Sequence, residues 1–151
     1  MAKKTKPDKR IVNRRARYDY ELGDSLSVGL VLSGAETKAL RLGHGQLRGA
    51  FVTIKDGELW LTGAQINPAP GIYITPDDQV RSRKLLAKKR EIDQLTAARK
   101  EGRTIVPLEI QTGGRYIKLK IAIGKGKRRY DKRETIKRRQ QQRDIAREGK
   151  I

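Results

Sequence analysis

The chemistry open to this chain is that of its cations. Its one histidine, His44, stands between Gly43 and Gly45, with no serine or cysteine arrangement of the kind that makes a nucleophile. The carboxylates Asp19, Glu21, Asp24, Glu36, Asp56, Glu58, Asp77 and Asp78 fall into no metal-ligand spacing. Cysteine is absent, which removes thiolate zinc sites and disulfides. Gly124-Lys125-Gly126-Lys127 is attractive to phosphate but lacks the spacing of a phosphate-binding loop. Neither catalysis nor a cofactor nor a metal is expected.

Two cationic runs with embedded aromatics remain. One is Asn13-Arg14-Arg15-Ala16-Arg17-Tyr18-Asp19-Tyr20. Arginine forks match phosphate oxygens, and aromatic faces stack on unpaired bases. The ordinary alternative is a solvated basic segment. The other is Lys127-Arg128-Arg129-Tyr130-Asp131-Lys132-Arg133, where five cations surround one tyrosine. That combination suits RNA contact by stacking plus phosphate neutralisation. A third segment, Gly34 to Arg41, sets Lys38 and Arg41 on neighbouring helical positions, but its periodicity fits a plain amphipathic helix with Glu36 favouring the helix dipole.

The whole chain fits this emphasis. Its 151 residues suggest one domain, and 36 Lys+Arg against 17 Asp+Glu give a formal charge of +19. Such an excess is tolerated best beside a polyanion. The charge sits at the ends. Residues 1–17 carry eight Lys/Arg against Asp8 alone, and residues 124–151 carry twelve against four acids. No apolar run approaches the roughly 18 residues of a membrane span, and no secretory signal opens the chain. A cytoplasmic protein with no membrane partner is expected.

The elements that must carry these cations read mainly as β. Residues 1–10 form a basic arm expected to be disordered, 11–123 a β-rich RNA-binding domain, and 124–151 a basic tail. Leu26, Val28, Leu30 and Leu32 alternate with small or polar residues. Phe51–Lys55 and Glu58–Thr62 flank Asp56-Gly57, the preferred centre of a type I′ hairpin, and put Val52, Ile54, Leu59 and Leu61 on one face. Ile105–Ile110 and Arg115–Ile123 flank Thr112-Gly113-Gly114. In the second run Ile117, Leu119, Ile121 and Ile123 alternate with Tyr116, Lys118, Lys120 and Ala122. Pro107 marks an edge or a bulge. A short helix is expected over Ala35–Leu42, ended by Gly43, and a longer one over Arg83–Lys100, capped by Ser82 with Leu85, Leu86, Ile92 and Leu95 as its apolar stripe. Asn67–Asp78, with its three prolines, reads as a loop. Gly124 to Lys127 should break the last strand. The tail beyond it has few apolar residues and should be disordered when free and helical on a partner. Small antiparallel strands with a few helices suggest a small barrel, of which the oligonucleotide-binding type is one candidate and an α+β open sheet the competitor.

Five segments in register resemble SsrA-binding protein, or small protein B, the bacterial partner of transfer-messenger RNA. They are Asn13 to Tyr20, Gly34 to Arg41, Arg83 to Leu86, Arg90 to Leu95, and Lys125 to Arg133, and they cover nearly the whole chain. The resemblance implies an oligonucleotide-binding-type antiparallel barrel with a few helices and a basic tail. It implies binding to the tRNA-like domain of transfer-messenger RNA and delivery to stalled ribosomes for trans-translation. The tail would enter the decoding centre and mRNA channel, and the protein would act as a monomer. Carried onto this chain, the RNA face would include Asn13, Arg14, Arg17, Glu36, Lys38 and Arg41, with Arg83, Lys84 and Leu85 near it. Glu36 would then accept hydrogen bonds from bases. The ribosome-facing tail residues would be Lys125, Lys127, Arg128, Arg129, Tyr130, Asp131, Lys132 and Arg133. The chain departs from the family pattern at Thr37, usually valine, at Ala87, usually leucine, at Tyr130, often histidine, and in the loop before Arg83.

Composition alone also admits a structural ribosomal protein or a general RNA chaperone. An RNA-processing enzyme and a membrane-surface protein fit less well, since the tail lacks a broad apolar face.

Overall fold

Alternation of apolar and polar residues builds the longest strands. The computed structural model describes residues 10–126, 133 and 136–143. In chain order the elements are β1 (Ile11–Val12), α1 (Ala16–Asp19), β2 (Tyr20–Leu30), α2 (Gly34–Arg41), β3 (Gly45–Gln46), β4 (Phe51–Lys55), β5 (Glu58–Thr62), β6 (Gln65–Ile66), α3 (Pro76–Gln79), β7 (Arg83–Leu86), α4 (Lys89–Lys100), β8 (Thr104–Gln111) and β9 (Lys118–Gly126). Seven strands form one antiparallel sheet in the order β1-β8-β9-β2-β7-β5-β4, and β3 pairs with β6 in a second. The large sheet curls until β4 lies near β8, although no ladder joins them among the described residues. The architecture is thus the expected mainly-β, barrel-like one.

Period two holds over the first half of β9, where Leu119 and Ile121 are fully buried, Lys118 is exposed and Lys120 half-buried; from Ile121 to Gly124 every residue is buried, Ala122 included. The β4–β5 hairpin forms in the expected register, from Phe51↔Thr62 to Lys55↔Glu58. Asp56 and Gly57 both take positive φ, +53° and +73°, as a type I′ turn requires. Pro107 sits at a register shift in the β8–β9 ladder, so it is absorbed by a bulge.

Helix α2 is fixed by its ends. The Ser33 hydroxyl accepts from the Glu36 amide at 3.2 Å, and the Glu36 carboxylate accepts from the Ser33 amide at 2.9 Å, a reciprocal capping box. At the other end Gly43, at φ +85°, donates its N–H to Leu40, and the His44 N–H bonds the Ala39 carbonyl. This is a Schellman stop, and it explains His44 structurally. Gly45 is needed just beyond: a Cβ there would lie 2.7 Å from Leu40 Cδ2 and 2.8 Å from Ile11 Cδ1.

Three expectations change. Arg83–Leu86 is strand β7 rather than the first turn of a helix. It pairs with β5 through Leu59↔Leu85, Trp60↔Lys84 and Leu61↔Arg83, and with β2 through Gly29↔Leu86 and Leu30↔Leu85. It is the strand that joins the hairpin to the rest of the sheet. Two open strand edges outweigh helix propensity here, and the helix begins only at Lys89, where Glu91 accepts from the Lys88 amide at 2.8 Å. Ser82 caps nothing; its hydroxyl lies 3.3 Å from that of Thr62. Second, Gly124, Lys125 and Gly126 continue β9 instead of breaking it, opposite Leu22, Glu21 and Tyr20. The first of these glycines sits in a tight place, since a Cβ at Gly124 would lie 3.0 Å from Val106 Cγ2 and 3.2 Å from Tyr20 Cβ. Third, the proline-rich loop contains α3, whose first turn is capped by the Thr75 hydroxyl. The expected arm at 1–9 lies outside the described residues.

Candidate nucleic-acid interface

The N-terminal run is pinned by its asparagine. The Asn13 amide donates to Leu108 O at 2.8 Å and its side-chain Nδ2 to Pro107 O at 2.9 Å, so Asn13 anchors the segment to β8. Ala16 is buried beneath α1, while Arg14, Arg15 and Arg17 are exposed. The Arg15 guanidinium lies 4.8 Å from the Tyr18 ring centroid and 3.6 Å from Asp19. Arg17 lines a cleft with Lys120 of β9 and with Arg138 and Arg139, which lie in the helical stretch 136–143.

The next two matched segments turn inward. Glu36 is 1% exposed and Arg83 is 0% exposed. One Glu36 oxygen accepts from Arg83 Nε at 2.7 Å and the other takes the Arg81 guanidinium and the Ser33 amide. The remaining Arg83 donors are met by backbone carbonyls of Ala64, Arg81, Asp78 and Gln79. A buried ion pair needs this completeness, because one unpaired member would keep a large desolvation cost. Burial alone would raise the Glu36 pKa. The Ser33 amide, Arg83 and Arg81 outweigh it and hold the carboxyl below the ordinary glutamate range. Burial likewise pushes the Arg83 guanidinium down against the pull of Glu36.

Glu36, Arg83 and Leu85 are therefore interior in this structure, and both Glu36 oxygens accept hydrogen bonds from within the protein, so the carboxylate expected to meet bases is engaged with Ser33, Arg81 and Arg83. Arg41 is exposed, but its guanidinium is committed to the carbonyls of Thr112, Gly114 and Arg115. Lys84 is half-buried and pairs with Glu58 at 3.0 Å. Of the body residues expected on an RNA face, Arg14, Arg17 and Lys38 stand in solvent.

The surface that the sequence reading missed lies where β2, β7 and β9 meet. Leu86, the fourth residue of β7, points opposite to Arg83–Leu85's core side and is 57% exposed. It lies over Gly29, where an added Cβ would come within 3.1 Å of Leu86 Cβ. Leu86, Gly29 and Lys118 are shared by two adjoining grooves. One runs toward α4, with Ile54, Ala87, Lys88 and Ile92 in its wall beside the carboxylates Glu58, Glu91 and Asp93, and has a cavity volume of about 990 Å³. The other runs toward α2, with Arg115 and Tyr116. On the α2 side, an apolar floor rimmed by Lys118, Arg115 and Arg41 can pack a base or sugar while the cations meet phosphates. The available signal was the polar side of β9: Lys118 alternates with core residues on a strand that must face something. Leu86 gave none, because it was counted into a helical stripe.

In the tail, Lys125 is exposed at the end of β9, and Arg133 is helical and exposed. Lys127, Arg128, Arg129, Tyr130, Asp131 and Lys132 lie outside the described residues. Residues 136–143 are helical and exposed. Among the described residues, no group of three or more His, Cys, Asp or Glu could hold a metal ion, and no helix is long and apolar enough to cross a membrane.

Comparison with known proteins gives a consistent result. A family model described as SmpB protein matches residues 10–151. The chain is 46% identical over 144 residues to an SsrA-binding protein of Coxiella burnetii (strain Dugway 5J108-111), covering 92% of this chain and 90% of that one. It is 45% identical over 139 residues to an SsrA-binding protein of Streptococcus pyogenes serotype M49 (strain NZ131), covering 91% and 90%. A chain of the solved structure "tmRNA-SmpB: a journey to the center of the bacterial ribosome" superposes with a TM-score of 0.64 at 38% identity, covering 85% of this chain and 94% of that one.

Proposed function

The chain belongs to the SmpB protein family, and from that premise we propose how its surfaces divide the family's work. It binds transfer-messenger RNA and acts with it in trans-translation on the ribosome. In our reading the body holds the tRNA-like domain of that RNA, and the groove of Leu86, Gly29 and Lys118 is the recognition face. The observation that carries this is the conjunction of exposed Leu86 with Lys118, Arg115 and Arg41 around the groove toward α2, whose lining holds no carboxylate. Arg14, Arg17 and Lys38 add phosphate contacts. Asn13, Glu36, Arg41 and Arg83 act from within, holding the segments that carry the contacts. Lys84 and Leu85 flank the face on β7.

The tail, Lys125 to Arg133 and the helical residues after it, is assigned to the decoding centre and mRNA channel of the small subunit. Its cation density supports a second RNA partner distinct from the first. The protein performs no catalysis of its own, needs no cofactor, and works in the cytoplasm as a monomer where its ribosomal partner is. The test is to recover the protein from cells and sequence the RNA it holds. One dominant RNA with a tRNA-like end is the expected result. A spread of ribosomal RNA fragments in ribosome stoichiometry would favour a structural ribosomal protein instead.

A further inference from the structure

Six residues join β8 to β9: Thr112, Gly113, Gly114, Arg115, Tyr116 and Ile117. Two adjacent glycines offer no side chains to anchor such a loop, and glycine has the most backbone freedom to lose. The loop is nevertheless held from outside. Arg41, the last residue of α2, donates Nη1 to Thr112 O at 3.0 Å and to Gly114 O at 3.1 Å, and Nη2 to Arg115 O at 3.0 Å. A planar fork can serve three carbonyls at once, which a lysine ammonium on a flexible stem does far less well. Thr112 and Ile117 are buried at the two ends of the loop. The backbone entering Tyr116 is thus fixed by Arg41 and the backbone leaving it by the burial of Ile117.

What this clasp presents is a side chain with no intramolecular use for most of its surface. Tyr116 is 68% exposed. The Arg115 guanidinium lies 5.6 Å from its ring centroid, and Tyr116 lines the same groove as Leu86 and Lys118. An exposed tyrosine beside an arginine is ordinary on a surface. A tyrosine whose loop is tied at Thr112, Gly114 and Arg115 by three hydrogen bonds from another element, beside an apolar groove with a cationic rim, is pre-organised. Pre-organisation lowers the entropy lost on binding.

We propose that Tyr116, with Arg115 against its ring, is a stacking platform for one unpaired base of the bound RNA, and that Arg41 is the positioning residue that presents it. This rests on the reading that the groove takes the tRNA-like domain. Stacking is chosen over hydrogen-bonded readout because most of the ring stands in solvent while its neighbours supply positive charge, the combination that single-stranded nucleic-acid sites use.

The experiment measures the affinity of the labelled tRNA-like domain of transfer-messenger RNA for the full chain across a salt series. The variants are Tyr116→Phe, Tyr116→Ala, Arg41→Lys, and the last two combined. Tyr116→Phe should bind within about twofold of the parent. Tyr116→Ala should weaken binding about tenfold, the lower-to-middle range for one stacked base, with an unchanged slope of log K on log salt. Arg41→Lys keeps its charge and should weaken binding by up to the same factor, again without changing the slope. The double variant should be no weaker than Tyr116→Ala alone, because both changes remove one feature. Parental affinity in Tyr116→Ala, or an Arg41→Lys loss that adds in full to the Tyr116→Ala loss, would overturn the proposal while leaving the groove reading intact. Failure of the parent chain to bind this RNA would overturn both. Tyr116 is exposed, so its variants keep the fold even if Arg41→Lys does not, and emission of the lone Trp60 reports that fold in each sample.

Discussion

Replacing Glu36 by alanine should unsettle the body from inside, well before it affects any RNA contact. The substitution removes the partner of a guanidinium that is 0% exposed, together with the acceptor for Arg81 and for the Ser33 amide. Breaking a buried ion pair on one side costs about 3–5 kcal/mol. Arg83 keeps four backbone carbonyls as acceptors, which favours the lower end. Loss of half the capping box adds about 0.5–1 kcal/mol. The sum, about 3–4 kcal/mol, is a large share of the roughly 5–15 kcal/mol typical of a whole domain. In urea, with a slope of about 1.5 kcal/mol/M, the midpoint should fall by about 2–2.7 M. Trp60 on β5 pairs directly with Lys84 of β7, the strand that holds Arg83, so its emission follows the affected region. RNA affinity, measured where the variant is still folded, should change little. The reasoning is refuted if the midpoint moves by less than about 0.5 M while RNA affinity drops tenfold or more; Glu36 would then be a contact and not a support.

Other consequences are open to measurement. Glu36 has a folded-state pKa below its unfolded value, so its contribution is complete above about pH 4.3 and is lost as pH falls through the folded value. Acid titration of stability should show that loss, and Glu36→Gln should flatten that part of the curve. Gly45→Ala should cost about 1–3 kcal/mol in thermal or urea unfolding, since its new Cβ forces the methyl ends of Leu40 and Ile11, both buried in the core, to shift. Ending the chain after Gly126 should leave stability and tRNA-like RNA affinity within about twofold and abolish peptide tagging on stalled ribosomes. Ending it after Ile123 should also cost about 1–3 kcal/mol of stability, because Gly124 to Gly126 pair with Tyr20 to Leu22.

Local rules made some of this fold legible. Asp56-Gly57 fixed a hairpin register, alternation over Lys118–Ile121 identified the core side of β9, and Gly43 marked where α2 stops. Each is a contest settled within a few residues. What escaped was settled by distant parts of the chain. Arg83–Leu86 is equally good helix or strand until two strand edges, 22 or more residues away in sequence, claim it. Gly124 and Gly126 look like breakers, but Val106 and Tyr20 crowd Gly124 so closely that a glycine there preserves the strand. Glu36 and Arg83 are 47 positions apart, and nothing in either segment shows that they neutralise each other in the core. The family resemblance pointed to segments for an interface, and the fold separates the residues of those segments that stand on the surface from those buried beneath it. Leu86 illustrates this: one position beyond buried Leu85, it is on the other side of the sheet.

The most direct test of the recognition face is the affinity of the tRNA-like domain for Leu86→Ser and for Lys118→Ala, each measured across a salt series. Leu86→Ser should weaken binding about five- to tenfold at every salt concentration, as expected for exposing about 1–1.5 kcal/mol of apolar contact. Lys118→Ala should weaken it at low salt and reduce the slope of log K on log salt by about 1. Parental affinity and slope in both variants would contradict the placement of the RNA in the groove between β2, β7 and β9.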